Sequence, residues 1–173
     1  MNNDYSANDA MNTNTSYNDN VSNDDTISTL NDLISICKDG QEGFKEAAEG
    51  VERSDLKTLF YEFSQQRAEF AGVLQEMVRS MGGDPEHAGS MSGALHRGWI
   101  DIKSAVMGKD EEAILNECER GEDAAKEAYQ KAMQENLPSN VADVVNQQGQ
   151  AVLAAHNRVR SLRNSESRAA SNT

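Results

Sequence analysis

The chain reads as an all-α protein: an antiparallel four-helix bundle from Thr26 to Arg163, with one additional connecting helix between the second and third long helices. Three observations predict this. Apolar residues recur three and four apart through four long stretches, the spacing that lays a stripe along one face of a helix. Period-two alternation is missing, and the two prolines, Pro85 and Pro138, fall at natural breaks. Two short turns and one long linker divide the stretches into two helical hairpins.

The first helix is expected from Ile27 to Val51. Ile27, Leu30, Ile34, Cys37, Gln41, Phe44, Ala48 and Val51 form its seam, and Leu33, Gly40 and Ala47 widen it as a globular bundle requires. Ser54 is read as the cap of the second helix, whose seam runs Leu56, Phe60, Phe63, Arg67, Phe70, Leu74, Met77, Met81. Gly82 and Gly83 end it, and Pro85 follows. From Ser92 to Met107 a shorter helix presents Leu95, Trp99, Ile102 and Val106, with Trp99 as its anchor into the bundle. A further helix from Asp110 to Asn136 carries Leu115, Cys118, Glu122, Ala125, Tyr129 and Ala132 inward. After the turn at Pro138, capped by Ser139 or Asn140, the last helix places Val141, Val145, Gln148, Val152, Ala155, Val159 and Leu162 on one stripe. The short turns make each pair antiparallel. The linker from Gly82 to Lys109 is long enough either to cross the length of the bundle or to cap one end.

Outside this span the chain is poor in apolar groups. Met1 to Asp25 is crowded with Asn, Asp, Ser and Thr and reads as a disordered acidic arm, and residues 164–173 read as a disordered tail. The arm has no Lys or Arg and no apolar block, so it lacks the features of a secretory signal, which points to a cytoplasmic protein. With 173 residues the chain can form one domain with its own core. Sixteen basic residues stand against 29 acidic ones, a net charge of −13, and no helix face collects Lys and Arg. Nucleic acid and anionic membrane surfaces are therefore excluded as expected partners. No apolar run approaches the roughly 20 residues that span a bilayer. Cys37 and Cys118 lie in apolar stripes and read as small buried hydrophobes.

The stretches "LNDLISICKDGQEGFKEAAEGV", "LFYEFSQQRAEF", "GALHRGWIDIKSAV", "AILNECERGEDAAKEAY" and "AAHNRVRSLR" together resemble a bacterial family of small ferritin-like four-helix-bundle proteins classed as a domain of unknown function. The resemblance covers nearly all of Ile27 to Arg163. It implies a ferritin-like bundle and no established activity.

Gln41, Arg67, Glu122 and Gln148 interrupt the apolar seams near mid-helix, and Gln66 adjoins Arg67. These five are expected to form a buried polar layer in which Arg67 neutralises Glu122 and the amides satisfy the remaining donors and acceptors. The competing reading is a metal site. A di-iron bundle centre takes two Glu-x-x-His pairs, and this chain has none: Glu69 is followed at that spacing by Gly72, and His156 is preceded by Leu153. A weaker site for iron or another divalent metal would use Glu119, Glu122 and His156. Glu42, Glu46 and Glu69 point away from the seams, while Glu122–Lys126 and Glu127–Lys131 are spaced as helix-stabilising pairs. His87 reads as an exposed loop residue and His96 as a ring packed on the connector. No cysteine has a histidine placed to activate it.

Two readings follow. The favoured one is a non-catalytic binding or assembly module with no cofactor, acting as a homo-oligomer or with a protein partner, a stress response being one setting. The alternative is a metal-binding or oxidant-handling protein with its site at the bundle centre.

Overall fold

A computed structural model describes residues 22–85 and 99–171. Within them the chain is helical: α1 (Asn23–Gly50), α2 (Ser54–Ser80), α3 (Ile102–Met107), α4 (Glu111–Ala132) and α5 (Ser139–Ser171). No strand occurs among these residues. None of the described helices is long and apolar enough to cross a membrane.

Local chemistry sets the ends. Ser22 accepts a hydrogen bond from the Asp25 amide through its hydroxyl, so α1 starts ahead of Ile27 and takes in residues expected to belong to the arm. Residues 1–21 of that arm lie outside the described residues. Val51 leaves α1 in an extended conformation, and Arg53 rather than Ser54 occupies the cap position of α2. Gly82 adopts φ +78°, a left-handed turn that costs glycine little, and the Gly83 amide returns to the Val78 carbonyl to close the helix. Asp110 caps α4 through a bond from the Ala113 amide. Ser139 is already the first residue of α5, so neither Ser139 nor Asn140 precedes that helix; the Pro138 carbonyl accepts from the Val141 and Ala142 amides instead. The tail expected beyond Arg163 is helical as far as Ser171. Its Ser167 hydroxyl donates to Glu112 at 3.0 Å and Glu166 pairs with Arg53, which ties the extension to the bundle end.

The helices close a ring in which α1 packs against α2 and α4, and α5 packs against α4 and, less closely, α2. The polar contacts at the two ends decide the path of the linker. At one end the Asn23 and Asn31 side-chain amides donate to the Met81 and Asp84 carbonyls, each at 3.1 Å, joining the start of α1 to the end of α2. At the other end Arg53, in the α1–α2 turn, pairs with Glu111 at the start of α4 and Glu166 near the end of α5. There Val106 fills the space left by Gly50, where a Cβ would come within 2.5 Å of it. The linker therefore leaves α2 at one end and enters α4 at the other. It is a crossover and not a cap, and α2 and α4 run parallel, the connectivity of a ferritin-like bundle.

Of the connecting helix expected over Ser92–Met107, the described residues show Ile102–Met107; residues 92–98, including Leu95 and His96, lie outside them, as does His87. Trp99 anchors this segment. Its indole fills a notch between Gly43 of α1 and Gly121 of α4, where a Cβ on either glycine would stand 2.1 Å from the ring, and it meets Phe44 edge-on at 5.0 Å between centroids. Glu117 of α4 accepts from the Asp101 amide, and Arg120 bonds both carboxylates.

The core is divided along the bundle. One apolar cluster contains Leu33, Cys37, Leu74, Val78, Tyr129 and Val145; the other contains Phe44, Phe60, Ile114, Leu115, Cys118 and Val159. Arg67 and Glu122 lie on their helices between the residues of the two clusters and are buried as completely as the residues on either side.

Candidate functional site

The centre of the bundle is a charged pair. One terminal nitrogen of Arg67, Nη2, donates to both carboxylate oxygens of Glu122, at 2.7 and 2.8 Å, with both side chains only 1% exposed. The other, Nη1, donates to Gln66 Oε1 at 2.6 Å. The guanidinium carbon lies 5.9 Å from the Phe44 ring centroid and 5.8 Å from that of Phe70, so two aromatic rings flank the cation. Gly40 makes room for its stem: a Cβ there would press on Arg67 Cγ at 3.2 Å. Burial opposes the charge on Arg67, but Glu122 outweighs it and holds the guanidinium above its ordinary value. Burial raises the Glu122 carboxyl, and Arg67 opposes that rise.

Beside this pair runs a neutral network. Tyr129 donates its hydroxyl to Gln148 Oε1 at 2.7 Å, and the phenol oxygen also lies 3.1 Å from Cys37 Sγ. Gln148 in turn donates to the Phe70 carbonyl at 3.4 Å. The buried thiol of Cys37 is pushed up to about 11 by desolvation, and that of Cys118 also rises well above its ordinary value. Both cysteines are free thiols.

The structure thus brings together Arg67, Glu122 and Gln66 as expected, and gives Gln148 a buried place with different partners. Gln41 departs from expectation. It is half-buried, and what it supplies is its backbone carbonyl, which accepts from the Ser64 hydroxyl at 2.8 Å. Sequence reading missed Tyr129 and Cys37 as polar participants because both sit at apolar seam positions. It also missed Glu117, whose buried carboxylate holds the connector.

The three candidate metal ligands are not gathered. Glu119 is clamped by Arg163, with bonds of 2.6 and 2.9 Å. Glu122 is held by Arg67. His156 is buried with its Nε2 at 2.7 Å from Asp123 Oδ1 and its Nδ1 at 3.2 Å from Asn157 Oδ1. Among the described residues no three His, Cys, Asp or Glu side chains form a group that could hold a metal ion. Glu119, Glu122 and His156 therefore do not form one donor set. Nor does Lys126 pair with Glu122 as the helical spacing suggested: its ammonium lies 3.4 Å from Asp123, because Glu122 turns inward to Arg67. Glu42 and Glu69 are exposed and Glu46 is half-buried near Lys103, which keeps all three out of the centre.

The comparisons with known proteins agree with this architecture. A solved structure described as a two-domain protein containing DJ-1/ThiJ/PfpI-like and ferritin-like domains, from Anabaena variabilis, superposes with a TM-score of 0.69 at 14% identity. The match covers 84% of this chain and 40% of that one, so the chain spans well under half of its structural relative. No match is found among curated proteins. Residues 25–135 match the family described as a domain of unknown function, DUF2383, and the chain belongs to that family.

Proposed function

We propose that this member of the DUF2383 family is a non-catalytic module for binding or assembly, with a protein partner or a further copy of itself as its target. One observation carries the reading: Glu122, at the centre of the bundle, has both oxygens taken by the Arg67 guanidinium. A metal ion there would have to displace a tethered cation from a site closed to solvent. Other chemistry finds equally little footing. The buried thiols are protonated near neutral pH, which makes them poor nucleophiles, and Glu119 and His156 are engaged by Arg163 and Asp123.

The structural relative adds support from another direction. In the Anabaena variabilis protein a ferritin-like domain shares its chain with a DJ-1/ThiJ/PfpI-like domain, so a bundle of this fold there accompanies a separate unit.

The test is metal analysis of protein purified without chelator, followed by calorimetric titration with iron(II) and zinc. The expected result is no binding tighter than about 100 µM, or about −5.5 kcal/mol. Stoichiometric metal that disappears in Glu122→Gln would overturn the reading in favour of a metal-binding or oxidant-handling protein.

A further inference from the structure

The first hairpin returns in the second at a constant offset of 81 residues. Cys37, Gly40, Leu56, Gln66, Val78 and Arg79 recur as Cys118, Gly121, Leu137, Gln147, Val159 and Arg160. The offset holds along both hairpins without insertion in the sequence, while the turn is longer in the second, where Leu137 precedes α5. Burial repeats with it. The inner stripe of α2 is Phe60, Ser64, Arg67, Ala71, Leu74 and Val78; the residues 81 further on, Val141, Val145, Gln148, Val152, Ala155 and Val159, are buried in α5. Leu33, Ile34, Cys37 and Phe44 of α1 correspond in the same way to the buried Ile114, Leu115, Cys118 and Ala125 of α4. The bundle is therefore two versions of one helical hairpin packed face to face, and the seam between them is of the self-complementary kind that joins two copies of a unit.

The central layer breaks this equivalence. Gln41 corresponds to Glu122, and Arg67 corresponds to Gln148. Each hairpin thus carries one amide and one charged residue at this height, and the charges are opposite. A first hairpin facing a second sets Arg67 against Glu122, as observed. Two first hairpins would bury two guanidiniums opposite Gln41, and two second hairpins would bury two carboxylates opposite Gln148. An uncompensated buried charge is strongly unfavourable, so both like pairings are rejected.

We infer that Arg67 and Glu122 specify the pairing of a first hairpin with a second, so that a second copy of this chain fits the seam only by exchanging hairpins with the first. The polar links across the centre, Arg67–Glu122, Cys37–Tyr129 and Gln148 to the Phe70 carbonyl, each join a first hairpin to a second. All of them can form between two chains that exchange hairpins as well as within one. The inference goes beyond the module reading and stands whether or not the chain binds anything else.

Charge reversal in the full chain tests it. Arg67→Glu and Glu122→Arg alone each place like charges at the centre, and each should lower the folding equilibrium constant by at least about a hundredfold. The double variant R67E/E122R should recover most of that loss. The two single variants, unfolded together in urea and refolded as an equal mixture, should yield a one-to-one two-chain species by light scattering and native mass spectrometry, because each chain then supplies the charge the other lacks. Single variants as stable as the wild type, or a double variant no more stable than the singles, would overturn the specifying role. Recovery in the double variant with no two-chain species in the mixture would overturn the second copy as a partner.

Discussion

The sulfur of Cys37 and the hydroxyl oxygen of Tyr129 stand 3.1 Å apart in the closed interior of the bundle, linking α1 to α4. The same hydroxyl donates to Gln148 on α5, so one phenol ties three helices. Replacing Tyr129 with Phe keeps the ring and removes this link, leaving the Gln148 carbonyl buried without its donor. A loss of about 1–3 kcal/mol is expected, measured as a lower urea midpoint with unchanged slope. A variant as stable as the wild type would mean that Gln148 finds another donor.

Alkali should weaken the fold through the burial of the Cys37 thiol. An unfolded thiol ionises near 9.0, whereas burial pushes folded Cys37 up to about 11. Between those values the unfolded chain releases its proton and the folded one keeps it. The stabilisation is therefore complete below pH 9 and is lost as pH rises through 11, by about 2 kcal/mol at that point. Cys118 and Tyr129, also raised by burial, act in the same direction. Urea unfolding at pH 8 and pH 10.5 should show the fall, and Cys37→Ser should show a smaller one. Identical falls in both proteins would mean that Cys37 ionises equally in the two states.

Trp99 is the single tryptophan of the chain, so its fluorescence reports on the connector. Because its indole occupies the notch left by Gly43 and Gly121, Gly121→Val must expel it. Trp99→Ala should cost about 3 kcal/mol, the low end for loss of a packed aromatic ring, since the indole is only half-buried. In the wild type, fluorescence and helical circular dichroism should trace one urea transition. In Gly121→Val the fluorescence should already report an exposed indole before the helices melt. A blue-shifted, buried indole in that variant would contradict the packing described.

How much of this was legible in the sequence depended on what periodicity can encode. Spacing places a residue on a helix face, and that sufficed for the helices, for Trp99 as an anchor, and for Arg67 facing Glu122. It does not say where a side chain's end goes. Glu119 and His156 flank the right seams, yet Arg163 and Asp123 lie within reach and take them, so a metal trio suggested by position is not assembled. Gln41 holds a seam position, but the stem of Arg67 packs against neighbouring Gly40, and Gln41 contributes through its backbone. Tyr129 counts as apolar in a seam pattern, and its hydroxyl becomes informative only when the partner 92 residues away is beside it. The crossover was ambiguous for a related reason. Linker length allows several paths, and the choice shows only in end contacts such as Asn31 to Asp84 and Arg53 to Glu111.

Arg67 and Glu122 can also be removed as charges, and here the order of removal decides the outcome. Arg67→Met alone leaves a carboxylate buried with no cation, and Glu122→Leu alone leaves a buried guanidinium. Each should cost about 3–5 kcal/mol. The double variant R67M/E122L carries no unpaired charge and replaces the pair with apolar groups of similar length between two apolar clusters. Its stability should lie within about 1 kcal/mol of the wild type or above it. Chemical denaturation of the four proteins closes a double-mutant cycle, in which the coupling energy should be large and favourable. A double variant that loses as much as the two singles combined would show that Arg67 and Glu122 do not depend on each other, and that the flanking Phe44, Phe70 and Gln66 satisfy the guanidinium without Glu122.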